Sequence, residues 1–418
     1  MGGEANPIPR GGVQLRSAQV DSVRAIAALS ILFFHALSFG NAQSSSWLGP
    51  LTFPLESGVT VFLVISGFLL FRPFVRAHIQ GELAPAVWPY SVRRFMRIVP
   101  AYWVALIVAS LVLSWNYVFE LDGIAKYFSL GQVYFSLPLE TAAIAPAWTL
   151  GLELSFYIFL PIWAWFVRKL HNGSGRPALV FHWRALAALA AFGLAYKALL
   201  VGFGTFQGIN PAGYAALAAL PAYIDDFAIG MALALIVVGD QTKTAERPRI
   251  AVAVSQRPWI AWGAALVAYG LAMFLVRPTG GGLFSHGEYA WRVLLYGTIG
   301  AGLVAPAALG MTKGSFIDKF LNTKALVSAG LISYGIYLWH WGVVSWLQQH
   351  FPDVSFNHYF IWATVPLAIT LVLATLSYVL VERPSIKFAR RAGGAYKGEV
   401  DPPPVVPLGE EGLAKSGS

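Results

Sequence analysis

The chain contains no cysteine and little charge. The first absence excludes structural disulfides, thiolate metal sites and a thioester-forming cysteine nucleophile. The second excludes an ordinary soluble domain, because charged residues make up only 12% of the 418 residues, whereas about 25% is usual. No internal repeat of the kind that marks many secondary transporters is visible, and no G-x-S-x-G element presents a serine nucleophile. The first 20 residues lack an apolar core followed by a small-residue cleavage site, so no removable signal peptide is expected. What is present is hydrophobic: 57% of the residues, with a mean hydropathy of +0.61. The expected fold class is all-α, a polytopic integral membrane protein.

Near-continuous apolar runs of about 17–25 residues mark membrane-spanning helices. Ten are found: 23–39, 53–71, 98–115, 148–167, 185–203, 217–238, 260–276, 291–309, 325–347 and 360–381. A shorter, more polar run over 127–139 is expected to be an interfacial helix. Between spans, lysine and arginine fall 23 to 2 in favour of the two tails and the even-numbered loops, which predicts cytoplasmic termini at both ends. This placement also accounts for the net charge of +9 without a nucleic-acid partner. The expected organisation is a cytoplasmic amino tail (1–22), a transmembrane domain (23–384) and a largely disordered, Pro- and Gly-rich cytoplasmic tail (385–418).

Within the first run, SVRAIAALSILFFHALSFG, lie two ionisable side chains, Arg24 and His35. Charged groups at membrane depth cost about 2.5–3.5 kcal/mol each on insertion scales, so they pair, line a cavity or act on something. Eleven residues turn an α-helix through three turns plus about 20° and advance it about 16 Å, so the two share a face. Arg24 alone also fits a charge anchor at the cytoplasmic edge, and His35 alone a packing residue. Glu153, near the start of the fourth run, is expected level with His35. A carboxylate that orients a neutral imidazole and stabilises the imidazolium is the core of general-base catalysis.

Other polar residues complete the pattern. His340, with Ser333 and Tyr334, falls in SYGIYLWHW of the ninth run, and Asp225 and Asp226 in the outer half of the sixth. RRFMRIVP brings Arg93, Arg94 and Arg97 to the cytoplasmic edge, where guanidinium forks suit phosphate oxygens. In the second run, Ser66-Gly67 permits close helix packing or a narrow passage.

Six ordered stretches, DSVRAIAALSILFFHA, GVTVFLVISGFL, RRFMRIVPAYW, PAWTLGLELSFYIFLP, LISYGIYLWHW and SYVLVERPSIKF, resemble the motifs of the membrane-bound acyltransferase-3 family, whose members O-acylate envelope carbohydrates and some secondary metabolites. The resemblance covers about Asp21 to Pro384. It departs at Ser22, where the family's entry motif carries another residue, and no esterase-like domain follows the tenth run. The resemblance implies a multi-pass protein of a bacterial-type cytoplasmic membrane, with His35 as the catalytic histidine and Glu153 as its acidic partner. It further implies that Arg24, Arg94 and Arg97, with Ser66 beside them, hold an acyl-CoA donor, with acetyl-CoA the first expectation. His340, Asp225 and Tyr334 are the expected substrate-binding residues. The acceptor is expected to be an extracytoplasmic carbohydrate, a glycolipid or a secondary metabolite, and no metal is expected. A transporter or flippase that uses the same residues as substrate or proton sites is the alternative.

Overall fold

The computed structural model describes residues 17–40, 48–134, 143–202, 211–276, 285–352 and 359–393. Among these, every regular element is helical. Ten long helices follow the chain: α1 (Ala18–Phe39), α2 (Gly58–Ile79), α3 (Val87–Val112), α4 (Trp148–His171), α5 (Ala178–Gly202), α6 (Ile224–Gln241), α7 (Trp259–Leu275), α8 (His286–Leu309), α9 (Ser333–His350) and α10 (Tyr359–Ser377). A further helix, α11 (Arg383–Gly393), continues from α10 through a π turn over Tyr378–Glu382.

Each apolar run thus has its helix, but not each helix is a self-sufficient span. Seven helices are long and apolar enough to cross a membrane, or eight if Arg249–Gln256 and α7, bent by 93°, count as one. The sixth and ninth positions fall short for physical reasons. The sixth run breaks around Leu220–Ala222, leaving α6 with 18 residues and Asp225, Asp226 and Asp240 among them. The ninth breaks at Ile332 between Lys324–Leu331 and α9. The expected interfacial helix is a series of short turns as far as Tyr134, held by Tyr102 Oη and Trp103 Nε1 donating to the carbonyls of Tyr127 and Phe128; residues 135–139 lie outside the described set. The segment assigned to the carboxyl tail begins as α11, which packs along α3.

Helix α2 occupies the centre, with α1, α4, α6 and α8 around it. Its contact with α6 is backbone to backbone. A methyl group on Gly67 would sit 2.1 Å from the Phe227 carbonyl oxygen, and one on Gly230 would sit 1.9 Å from that of Val64. Small residues at such crossings let helices approach where hydrocarbon solvent supplies no hydrophobic drive. Phe156 of α4 stacks on Phe227 at a centroid distance of 3.8 Å, closing the layer. Outward, large apolar residues such as Ile158, Phe192, Phe274 and Phe360 are exposed, as a surface facing lipid requires. Because α6 is an inner helix, its aspartates need not meet that surface.

Candidate active site

Helix α1 is continuous from Ala18 to Phe39, so Arg24 and His35 do lie on one face about 16 Å apart along the axis. Around His35 the structure assembles a pair of imidazoles. His35 Nδ1 lies 3.0 Å from His340 Nε2, and the rings are near parallel with centroids 5.1 Å apart. His340 is fully buried, and its Nδ1 is 3.2 Å from the carbonyl oxygen of Ile336. A carbonyl only accepts, so with both rings neutral His340 Nδ1–H donates to it and Nε2 holds the lone pair. His35 Nδ1–H must then donate to His340, which leaves the basic lone pair of His35 on Nε2. Trp341 and Phe34 stand edge-on to the His35 ring at 5.2 and 5.0 Å, yet His35 itself remains partly accessible.

Glu153 is elsewhere. Its Oε1 accepts from Ser66 Oγ at 2.9 Å and from Tyr157 Oη at 2.6 Å, and the charge it acts on is Arg24. The expected pairing of Glu153 with His35 is thus not among the contacts: His340 is the side chain against His35, and Ser66 and Tyr157 are those against Glu153. The reason lies in where α2 and α4 cross their neighbours. A methyl on Gly58, the first residue of α2, would lie 2.6 Å from the Ala27 carbonyl oxygen, well below His35 on α1. Ser66 is about 12 Å further along α2 at 1.5 Å per residue, and so lies well inward of His35, on the Arg24 side of that crossing. Likewise α4 starts inside the protein: Pro146 O accepts from Tyr337 Oη at 2.7 Å, and Tyr337 Oη meets Thr149 Oγ1 at 2.6 Å. Tyr337 lies one turn inward of His340, and Glu153 one turn beyond Thr149.

An inner cluster is thus formed by Arg24, Ser66, Glu153 and Tyr157, with Arg94 and Arg97 from α3. Arg94 lies over the rings of Tyr90 and Tyr157, 5.8 Å from each centroid. Glu382, buried and 3.3 Å from Ser377 Oγ, feels Arg97 and Arg24. Arg24 Nε and Arg94 Nε are buried without a hydrogen-bond partner among the described residues. Buried guanidinium donors left open in this way suit an anionic group from outside the chain. Tyr334 lies beside the same cluster, and its hydroxyl donates to Ile98 O at 2.8 Å. Asp225 is not brought to His35 at all; it pairs with Lys197 of α5 at 2.8 Å. Among the described residues no group of three or more His, Asp or Glu forms a metal site.

Sequence reasoning missed several partners. Tyr157 is four residues from Glu153 and on its helix face, a spacing that side-chain pairing rules could have flagged. No local signal announces the bidentate ion pair of Glu56 with Arg292, at 2.9 and 3.3 Å, since its members are 236 positions apart.

Comparison with known proteins agrees with the motifs. A family model described as an acyltransferase domain matches residues 17–381. The chain belongs to the acyltransferase-3 family. Among family relatives, nodulation protein 10 of Rhizobium leguminosarum is 26% identical over 88% of this chain and 92% of its own length. The peptidoglycan O-acetyltransferase OatA of Listeria monocytogenes is 25% identical over 87% of this chain. The chain spans about half of the listerial protein, 55% of its length. No solved structure gives a significant match.

Proposed function

We propose that the protein transfers an acyl group, in the first instance acetyl, from cytoplasmic acyl-CoA to a hydroxyl of an extracytoplasmic carbohydrate or glycolipid. It does so across a bacterial-type cytoplasmic membrane, with the short sixth and ninth helices completing ten crossings and both termini inside. The donor's phosphates lie against Arg24, Arg94 and Arg97, and its arm runs along the face of α1 toward His35. Glu153, held by Ser66 and Tyr157 inward of His35, accepts an amide N–H of that arm. Tyr334 offers its ring to the arm, and the acceptor enters from the other end.

The observation that carries this reading is the Ile336–His340–His35 chain, which leaves the Nε2 lone pair of His35 as the base. His35 Nε2 takes the proton of the acceptor hydroxyl, whose oxygen bonds to the thioester carbonyl carbon. The carbon–sulfur bond then breaks, and the thiolate leaves with the proton that the imidazolium returns. His340 supports the cationic stage by accepting from His35 Nδ1–H. General-base action of this kind contributes about 10²–10⁴-fold, and positioning along a closed passage supplies much of the remainder. The test is release of free coenzyme A from acetyl-CoA on addition of a carbohydrate acceptor to protein in nanodiscs. His35→Ala is expected to lose about 10²–10⁴-fold of kcat; full activity in that variant refutes the assignment, and movement of acceptor without acyl transfer favours a transporter.

A further inference from the structure

Helices α5, α6 and α8 enclose a groove of about 1070 Å³, as large as the upper range of ligand sites, about 300–1,000 Å³. Its walls are apolar: Leu186, Ala190 and Leu194 of α5, Ile229 and Ala232 of α6, and Val293 of α8. The lining positions on α5 extend from residue 183 to residue 201 along one face, about 27 Å at 1.5 Å per residue. A bilayer's hydrocarbon core is about 30 Å thick. Leu194 and Leu294 at the rim are 49% and 57% exposed, so the groove opens sideways, toward lipid. Its shape is that of a slot for one long hydrocarbon chain.

One end of the slot is polar. Lys197, Asp225, Asp226 and His286 line it, and the first three are buried to within 9% relative exposure. Lys197 Nζ lies 2.8 Å from each oxygen of Asp225, Asp226 is hydrogen-bonded to Thr60 of α2, and His286 Nε2 donates to Val201 O at 2.9 Å. Burying such ions costs several kcal/mol each, and ionisable residues inside membrane helices mark ligand positions. The signs decide which ligand. Among the described residues that line the groove, Asp225 neutralises Lys197 and Asp226 adds an acidic group, so a phosphate finds no spare lysine or arginine there. Sugar hydroxyls, in contrast, find carboxylate acceptors.

We infer that this groove holds the hydrocarbon chain of a glycolipid whose sugar head lies against Asp225, Asp226 and Lys197. The inference rests on the O-acyl transfer proposed above and names the acceptor as lipid-borne. The polar end and the imidazole pair lie against different faces of the same inner helix, α2: Thr60 faces Asp226, while the Phe62 ring meets Tyr337 at 5.8 Å and Tyr337 meets His340 at 5.7 Å.

The test uses the full chain in phosphatidylcholine nanodiscs and hexadecyl glucoside bearing a photoreactive diazirine on its chain. Cross-links are expected on peptides containing Ala190, Leu194 and Ile229, displaced by unlabelled hexadecyl glucoside but not by methyl glucoside or hexadecyl phosphate. Ala190→Trp, which fills the slot, is expected to reduce labelling about tenfold or more and to abolish the preference for hexadecyl over methyl glucoside in acyl transfer. Labelling confined to other helices, or equal displacement by hexadecyl phosphate, overturns the inference, and mapping on the unaltered protein decides this whether or not the variant folds. Groove labelling without release of coenzyme A upholds the site and refutes the transfer reading, whereas transfer with labelling elsewhere does the reverse.

Discussion

Replacing His340 with alanine deletes the acceptor that holds the Nδ1–H of His35, 3.0 Å away. The His35 ring then loses the side-chain contact that keeps its lone pair on Nε2, and the carbonyl of Ile31 one turn back is the acceptor that remains. Loss of a hydrogen bond of this kind costs about 1–3 kcal/mol. If that cost falls on the transition state, where the ring becomes cationic, kcat drops about 5- to 150-fold at about 1.4 kcal/mol per factor of ten. His340→Gln keeps an acceptor oxygen on a side chain of similar reach and is expected to recover part of the loss. The double variant His35→Ala with His340→Ala is expected to be no slower than His35→Ala alone, because groups that act as one unit are not additive. Steady-state coenzyme A release by the four variants and the unaltered protein, at saturating donor, measures all of this. Two results refute the reasoning: losses that multiply in the double variant, or a His340→Ala defect confined to KM for the acceptor with kcat intact.

Three further outcomes are expected. Glu153→Gln weakens the acceptors for Ser66 and Tyr157 beside Arg24, so KM for acetyl-CoA rises about tenfold while KM for the acceptor moves little; separate titration of the two substrates checks this. Gly230→Ala drives a methyl group to 1.9 Å from the Val64 carbonyl oxygen, and overpacking of this kind costs about 1–3 kcal/mol, read as a lower midpoint of thermal unfolding in detergent. Glu56→Ala removes the carboxylate partner of the partly buried Arg292 guanidinium and is expected to destabilise by about 1.5–3 kcal/mol, whereas Glu56→Gln with Arg292→Met recovers much of it. Equal midpoints for Glu56→Ala and the unaltered protein count against the pairing.

The helical architecture was largely legible because lipid demands it: with no water to satisfy backbone groups, apolar runs of spanning length become helices. Each of the ten runs corresponds to a helix in the structure. The exceptions in span quality, α6 and α9, are those that carry Asp225, Asp226 and His340, and interior helices tolerate polar residues that lipid-facing ones do not. Within one helix, spacing also translated directly into geometry, as the shared face of Arg24 and His35 shows.

Depth and partnership between helices did not follow from spacing. Counting residues from the ends of the apolar runs placed Glu153 beside His35, on the assumption that all helices start at one plane. Local sequence thus determined the class of fold, the helices and the residue types that carry chemistry, since these depend on backbone hydrogen bonding and on transfer from water to hydrocarbon. Only the tertiary structure decided that His35 is paired with His340, Glu153 with Ser66 and Tyr157, and Asp225 with Lys197. Those pairings depend on where α2 and α4 enter the bundle, which the packing of Gly58 against Ala27 and of Pro146 against Tyr337 sets, and such contacts between distant positions leave no trace in hydropathy.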